Sequence, residues 1–314
     1  MKNKIPIAIG FSMLLVVLVM IPFYQNRDGV QTSANPREPQ SSEEPLHQEQ
    51  EPEPLRPTIV DGDIGYSLQN DDLNITYDGG ENWILVPIEK ELLFSGEYRG
   101  NQQQLIDNSF ILSDDHAVFL YAYGNGENSP VKHIYSDNQG ETWDEVTITE
   151  KGLGLRFRKI KMLTDDFWYV VISGSRKMSQ EGALIFFSKD QGQNWQSINM
   201  PATTRLVADG GFVDETTAFM SYGMINPQEP ELYVTNNAGE TWKEAVFHMP
   251  SKYDRVFVMP NTPYKEKDHL AMLVDQGPNG DYMGGLIQGK FISTDNGLTW
   301  TFAEEVEPEI EEIG

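Results

Sequence analysis

An eight-residue frame occurs five times in this chain and strongly limits the folds that the chain can adopt. The copies read TYDGGENW, SDNQGETW, SKDQGQNW, TNNAGETW and STDNGLTW, at residues 76–83, 136–143, 188–195, 235–242 and 293–300. Five of the six tryptophans in the chain close a copy, and these five stand 60, 52, 47 and 58 residues apart. Such spacing is typical of one supersecondary unit that is repeated along a chain.

The sequence between two copies of the frame predicts four short strands. Runs of alternating or β-branched and aromatic residues, separated by polar turns, are RKIKML (158–163), FWYVVISG (167–174), ALIFFS (183–188) and WQSINM (195–200). An acidic turn follows the first run and recurs as SDD (113–115), TDD (164–166) and VDE (213–215). Each unit is therefore predicted to be an antiparallel meander, in which the acidic turn joins strands one and two and the frame joins strands three and four.

The residue types of the frame suit a tight turn with a hydrophobic cover. Asp, Asn, Ser and Thr side chains bond the N–H groups of a turn, and glycine accepts a positive φ. The tryptophan is expected to seat its ring between neighbouring sheets. The residues to which we assign this structural role are Asp78, Gly80, Trp83, Asn138, Gly140, Trp143, Asp190, Gly192, Trp195, Asn237, Gly239, Trp242, Asp295, Gly297 and Trp300.

These five copies resemble Asp-box repeats, also called bacterial neuraminidase (BNR) repeats. The resemblance implies an all-β fold, a β-propeller of four-stranded antiparallel blades whose boxes lie away from the catalytic face, and it implies architecture without activity. Five blades are favoured, with six as the alternative. The first copy has room for the second to fourth strands alone. We therefore expect the tail EPEIEEIG, or residues near 55–60, to supply the missing first strand and close the ring.

The N-terminal part of the chain predicts a membrane anchor and a tether. Residues 5–24 contain no charge and follow two lysines, so 1–24 is assigned as a signal-anchor transmembrane helix. The alternative is a secretory signal cleaved near Thr32-Ser33-Ala34. Residues 25–58, rich in Pro and Glu, are predicted to be a disordered linker, and residues 59–314 the propeller. The chain contains no cysteine, so packing alone must stabilise an exported domain.

The charge of the propeller region restricts its partners and its location. Residues 59–314 contain 18 basic and 41 acidic residues, a net charge of −23. Such a domain is not expected to bind nucleic acid. We predict a single-pass protein of a bacterial cell membrane with an extracytoplasmic C-terminal domain, or a secreted protein if the signal is cleaved. The partner is expected to be an unknown protein or glycan on the cell surface.

The six arginines of the predicted propeller all fall at first-strand starts or in second-to-third loops. These ends meet on the face opposite the boxes, so the arginines are candidates to bind an anionic ligand. The alternative is that they pair with nearby acids such as Glu97, Glu231 and Asp254. The candidate residues are Arg99, Arg156, Arg158, Arg176, Arg205 and Arg255.

The function favoured by these patterns is a non-catalytic ligand-binding, protein-binding or assembly module, similar to photosystem assembly-factor propellers. The alternative is a sialidase-like or other glycoside hydrolase that acts on acidic glycans. Sialidases use an arginine triad, a tyrosine nucleophile with a glutamate, and an acid/base aspartate, and the residues that suit these roles are Tyr222, Tyr253, Tyr282, Glu229 and Asp281. However, LRPTIV (55–60) does not match the sialidase Arg-Ile-Pro motif. The five histidines lack ligand spacing, and we expect neither a metal nor a cofactor.

Overall fold

The computed structural model describes residues 53–126 and 128–307. The predicted anchor, the linker up to residue 52 and the last seven residues of the tail lie outside the described residues. Within the two described ranges, no helix is long and apolar enough to cross a membrane.

The strands form five sheets, and the first four sheets have the same topology. In each sheet four antiparallel strands follow one another in chain order. The first sheet contains β1 (Thr58–Asp61), β2 (Ile64–Ser67), β3 (Asn74–Thr76) and β4 (Ile84–Leu85). The second contains β5 (Phe110–Leu112), β6 (Ala117–Ala122), β7 (Val131–Ser136) and β8 (Asp144–Thr149). The third contains β9 (Phe157–Met162), β10 (Trp168–Lys177), β11 (Gln180–Ser188) and β12 (Gln196–Ser197). The fourth contains β13 (Val207–Phe212), β14 (Ala218–Tyr222), β15 (Glu231–Thr235) and β16 (Lys243–Glu244).

The fifth sheet keeps this meander and adds two strands. Its four successive strands are β18 (Phe257–Pro260), β20 (His269–Gln276), β21 (Gln288–Ser293) and β22 (Thr299–Val306). A further strand, β17 (Val246–His248), pairs in parallel with β22, and β19 (Tyr264–Glu266) pairs with β20. A single-turn helix, α1 (Lys90–Leu93), lies between the first and second sheets in the chain.

The boxes and the first-to-second turns lie at the same end of the sheets. In the first, third and fourth sheets, a backbone N–H at the centre of the box donates to a carbonyl of that sheet's own first-to-second turn. These bonds run from Gly79 to Asp63 at 2.8 Å, from Gln191 to Asp166 at 3.2 Å and from Ala238 to Thr216 at 2.8 Å. We call this end the box face. The opposite end, formed by the second-to-third loops and by the connections between sheets, is called the loop face.

All five boxes share one hydrogen-bond pattern, which fixes the turn from within. The N–H of the box glycine donates to the Ser or Thr hydroxyl that opens the box, at 2.8–2.9 Å. The Asp or Asn Oδ1 accepts the N–H of the residue before the tryptophan, at 2.8–3.0 Å. The five glycines have φ between 79° and 96°, which L side chains rarely adopt.

The hydrophobic core consists of four clusters, each of which joins one sheet to the next. The tryptophans of boxes two to five pack into the cluster between their own sheet and the preceding one. Trp300 is completely buried, and the others are half-buried. The box tryptophans therefore join consecutive sheets into one curved, propeller-like array.

The two ends of this array differ from its interior. The missing first strand of the first sheet is β1, which pairs with β2 and starts at Thr58. Among the described residues, no buried cluster joins the fifth sheet to the first. Five sheets are present in the described ranges, and closure into a five- or six-bladed ring stays a prediction.

Candidate functional site on the loop face

The loop face contains all six candidate arginines. Arg99 lies in the connection between the first and second sheets, and Arg176 lies near the end of β10. Arg156, Arg205 and Arg255 precede the first strands of sheets three to five, and Arg158 is the second residue of β9. Their surroundings differ greatly, which determines what each of them can bind.

Arg156 is held by a buried carboxylate. Its Nη2 donates to Glu181 Oε1 at 2.6 Å and to the carbonyl of Val207 at 2.6 Å, and its Nε donates to Glu181 Oε2. Glu181 also accepts the Val207 N–H at 2.6 Å. This network joins the third and fourth sheets, and Arg156 is therefore committed to internal partners.

Arg158 is buried beneath the connection that follows the first sheet. Its guanidinium donates to the carbonyl oxygens of Leu93, Ser95, Tyr98 and Leu155 at 2.7–3.1 Å. Burial lowers the pKa of Arg158 to about 10, so the side chain stays charged at neutral pH. Its donors satisfy backbone carbonyls, which fixes this segment against β9.

Arg205 and Arg176 have partners close to the surface. Arg205 forms a 2.6 Å ion pair with Glu231. Burial raises the pKa of the Glu231 carboxyl, and the neighbouring Arg205 opposes this rise. The exposed Arg176 donates from Nε to the carbonyl of Met178 at 2.8 Å, inside the same hairpin. The sequence alternative of pairing with nearby acids thus describes Arg205, with Glu231 as its partner.

Arg255 differs from these because its side chain makes no hydrogen bond or ion pair with any residue in 53–126 or 128–307. It is exposed and has a φ of 62°. Arg255 lies between two open cavities of about 290 and 650 Å³, and it lines both of them. Tyr282 lines the smaller cavity, whereas Glu229 and Phe257 line the larger one. Arg255 is therefore the candidate arginine best placed to meet an external anion.

Large apolar side chains protrude from the same face. Met178 in the β10–β11 turn is 90% exposed, and Met283 in the β20–β21 loop is 70% exposed. The second-to-third loops of sheets two to five each contain at least one exposed large hydrophobic residue. These residues are Tyr123, Met178, Ile225, Met283 and Leu286. Tyr98 adds another from the connection next to Arg99.

The three tyrosines considered for catalysis are Tyr222, Tyr253 and Tyr282, and they differ in burial and in the partner of their hydroxyl groups. Tyr222 is buried, and burial raises the pKa of its hydroxyl. Tyr282 donates to Glu305 Oε1 at 2.9 Å, and this hydrogen bond raises the pKa of Tyr282. Tyr253 is buried and also bonds Glu305. Glu305 accepts both hydrogen bonds, and these bonds lower the pKa of its carboxyl group.

A second tyrosine, glutamate and lysine group occurs in another sheet. Tyr121 and Lys132 both bond Glu145, which lies on the fourth strand of the second sheet. In the fifth sheet, Lys252 stands 3.8 Å from Glu305, again on a fourth strand. The repetition indicates that this arrangement supports the sheets. Glu229 and Asp281 line the cavities beside Arg255 and are exposed.

The exposed loop tips and the carboxylates that hold the arginines were not predicted from the sequence. Glu181 and Glu305 lie 25 and 52 residues from Arg156 and Tyr253, and no local pattern indicates such distant pairs. Met178 stands between polar residues, so it disturbs no hydrophobic periodicity of the neighbouring strands. A single methionine in a predicted polar turn was nevertheless a visible sign of an exposed apolar side chain. Within the described residues, no cluster of three or more His, Cys, Asp or Glu suits a metal ion.

The comparison with protein families supports the prediction that the boxes are Asp-box repeats. Residues 291–302, which contain the fifth box, match the BNR/Asp-box repeat family. The hydrogen-bond pattern of that box recurs in the other four. The fifth box thus matches the BNR/Asp-box repeat, and the other four boxes share its turn geometry.

A relative and several solved structures resemble parts of the chain. Over 165 residues the chain is 26% identical to the chloroplast photosystem II stability/assembly factor HCF136 of Arabidopsis thaliana. This match covers 51% of the chain. It spans 36% of the length of the relative, so most of that protein has no counterpart in the match. A protein of unknown function from Dyadobacter fermentans has a TM-score of 0.43 at 15% identity and covers 63% of this chain and 70% of its own.

Two structures of carbohydrate-related proteins are similar at a lower identity. Aleuria aurantia lectin with bound α-methyl-L-fucoside has a TM-score of 0.43 at 10% identity, over 78% of this chain and 73% of its own. A GH43_1 enzyme from Xanthomonas citri has a TM-score of 0.38 at 9% identity, over 68% of this chain and 75% of its own.

Proposed function

We propose that this protein is a membrane-anchored, extracytoplasmic binding or assembly module that docks a partner protein on its loop face. The apolar run at 5–24, with its preceding lysines, supports the anchor. The turns of the box face are stabilised by hydrogen bonds within each box. Arg255 supplies an anion contact within the docking surface.

The main support for this proposal is that exposed Tyr, Met and Arg side chains lie in the loops of the loop face. Met178 and Met283 protrude from turns where a polar residue would be more soluble. Aromatic residues, methionine and arginine are enriched at the centres of protein interfaces, whereas lysine and acidic residues are depleted there. Exposed apolar side chains in four successive loops of one face, on a protein with net charge −25, support a site of association there.

A binding role also agrees with the electrostatics of the tyrosines. Tyr222 and Tyr282 have raised pKa values, so their hydroxyls stay protonated, and that of Tyr282 donates a hydrogen bond to Glu305. The similarity to a photosystem II stability/assembly factor supports assembly over hydrolysis, because that relative is named for an assembly role.

The anion contact is tested by the thermal stability of the full-length chain in the presence of acidic peptides, sialic acid, uronic acids and sulfated sugars. A ligand at 100 times its Kd stabilises the folded state by about 2.7 kcal/mol. We expect an acidic peptide to stabilise the wild type and to lose this effect in Arg255→Ala. Lys189→Ala, which changes an exposed residue of the box face, is the matched control and should retain the effect. Cleavage of a glycosidic bond in sialylated, uronic-acid-containing or sulfated oligosaccharides would contradict the non-catalytic role.

A further inference from the structure

The connection from α1 to β5 lies on the loop face and is bonded to the second and third sheets. The N–H of Gly96 donates to Asn125 Oδ1 at 2.6 Å, and the N–H of Glu97 donates to the carbonyl of Gly154 at 2.6 Å. Gly96 has a φ of 122°, and a Cβ there would stand 2.8 Å from the Gly154 carbonyl oxygen. The connection is therefore held close to the chain that enters the third sheet.

The buried Arg158 holds the same connection from below. Its Nη2 atom donates to the carbonyl oxygens of Ser95 and Tyr98, at 2.7 and 2.9 Å. Backbone groups from residue 95 to residue 98 are thus bonded to other parts of the fold, although they belong to a loop. The backbone of Tyr98 is consequently fixed before any partner arrives.

The side chain of Glu97 joins this connection to the hairpin between β10 and β11. Its Oε1 atom accepts the N–H of Ser175 at 2.6 Å and the N–H of Arg176 at 3.2 Å. Ser175 has a φ of 58°, and this left-handed conformation turns two successive N–H groups toward one carboxylate. Two segments more than seventy residues apart in the sequence therefore stand one glutamate side chain apart.

Together these two segments form an exposed projection, which we call the docking tip. Met178 is 90% exposed and Tyr98 is 54% exposed, and the cationic side chains beside them are exposed as well. The docking tip consists of Tyr98, Arg99, Arg176, Lys177 and Met178.

The docking tip is locally positive on an acidic protein. Arg99, Arg176 and Lys177 form no ion pair with any residue in 53–126 or 128–307. Each arginine donates from Nε to a backbone carbonyl, at 3.4 Å in Arg99 and 2.8 Å in Arg176, and its two Nη atoms make no hydrogen bond within those ranges. With Glu97 included, three cations and one carboxylate give a net charge of +2, whereas the chain has −25.

These residue types and this charge restrict the surface that the docking tip can meet. Tyrosine, methionine and arginine are enriched at the centres of protein interfaces. A residue whose backbone is already fixed loses less conformational entropy when it binds. The positive charge repels basic surfaces and favours acidic ones. Single exposed ion pairs contribute little, so the cations discriminate among protein surfaces and do not retain a short acidic peptide by themselves.

We propose that the docking tip is the centre of the loop-face surface and that the partner protein meets it with an apolar pocket bordered by acidic side chains. Tyr98 and Met178 enter the pocket, and the free Nη atoms of the two arginines pair with carboxylates at its rim. Glu97 and Arg158 are positioning residues, because they fix the tip without belonging to it. This assignment rests on the docking function proposed above.

A photoreactive p-benzoylphenylalanine at position 283, outside the docking tip, reports docking in cells that express the full-length chain. Tyr98→Ala should reduce the yield of the protein adduct at least fivefold, because residues at the centre of an interface dominate its affinity. Arg176→Glu should reduce the yield severalfold. Lys189→Glu makes the same change of net charge on the box face and should leave the yield unchanged. Since Tyr98 is exposed, Tyr98→Ala should not alter the melting temperature of the purified chain.

The positioning role of Glu97 has its own test. Glu97→Ala removes the acceptor of the Ser175 and Arg176 N–H groups, whereas Glu97→Gln retains an acceptor oxygen. We expect Glu97→Ala to reduce the adduct severalfold and to accelerate deuterium exchange of these two amides, and Glu97→Gln to restore both. Exchange in the central strands should stay the same in both variants, which separates a displaced tip from a destabilised fold.

The outcomes separate this assignment from the docking function. An unchanged adduct in Tyr98→Ala, or an equal loss in Arg176→Glu and Lys189→Glu, would overturn the assignment and leave docking on the loop face intact. Adducts with lipid alone from a photoreactive residue at position 98 would also overturn it, because the tip would then contact the membrane. The absence of any protein adduct from position 283 in the otherwise wild-type chain would overturn the docking function and this assignment together.

Discussion

The Nη2 atom of Arg156 lies 2.6 Å from Oε1 of Glu181, whose side chain is completely buried. This pair joins the third sheet to the fourth through the N–H and carbonyl of Val207. Arg156, which was predicted from the sequence to contact a ligand, therefore stabilises the fold beneath the loop face. Its partners in the structure decide its role.

Removing the buried carboxylate should be strongly destabilising. Glu181→Ala leaves the guanidinium of Arg156 and the N–H of Val207 without their acceptors, so we expect a loss of about 3 kcal/mol in the free energy of unfolding. Urea unfolding of the purified chain measures this loss. Lys189→Ala breaks an exposed ion pair and should cost less than about 1 kcal/mol. Equal losses in the two variants would contradict a structural role for the buried pair.

The box glycines should differ from other left-handed glycines in their sensitivity to substitution. Gly192 and Gly284 have φ of 79° and 84°, so alanine costs about 1 kcal/mol of backbone strain at either position. A Cβ at Gly192 would stand 2.7 Å from the Trp168 ring, whereas a Cβ at Gly284 meets no atom within 4 Å. Gly192→Ala should therefore lose a further 1–3 kcal/mol relative to Gly284→Ala in urea unfolding. Equal losses would show that packing beneath the box is dispensable.

The stability of the protein should depend on pH through His133. Its imidazole is completely buried, neither ring nitrogen has a partner in the described residues, and burial lowers its pKa from 6.5 to about 4. In the unfolded chain the imidazole of His133 binds a proton below about pH 6.5, whereas in the folded chain it does so only below about pH 4. Stability is thus complete above pH 6.5 and falls as the pH drops, by about 2 kcal/mol at pH 5.

Replacement of the histidine isolates this contribution. His133→Phe keeps a ring against Trp168 and Trp195 and removes the titrating group. Urea unfolding at pH 7.5 and pH 5 should show a difference between the two pH values that is about 2 kcal/mol smaller in the variant. An unchanged difference would assign the pH dependence to other groups.

The repeated parts of the fold were predictable because their causes are local. Each box contains its own donors, acceptors and left-handed glycine within eight residues, so the turn and its flanking strands follow from the sequence alone. The acidic turns after β5, β9 and β13 were equally readable. The pairing of β17 with β22 was not predictable from the sequence, because this parallel pair joins residues more than fifty positions apart.

The candidate site was predictable in position and less so in chemistry. The arginines lie on the predicted face because strand order fixes the end of each sheet. Whether an arginine is free to bind a ligand depends on partners that are distant in the sequence. Glu181 holds Arg156, and four backbone carbonyls hold Arg158. The exposure of Met178 depends on the tight turn between β10 and β11, which a hydrophobic pattern does not reveal.

The central claim is that the loop face docks a partner protein, and site-specific photo-crosslinking in cells that express the full-length chain tests it most directly. A photoreactive residue replaces Met178, Met283 or, as the control, Leu85, which is exposed on the outer strand β4. We predict one protein adduct of the same mass from positions 178 and 283 and none from 85. Charge reversal in Arg255→Glu should reduce its yield severalfold. Adducts with lipid alone, equal adducts from position 85, or no adduct at the two methionine positions would contradict the claim.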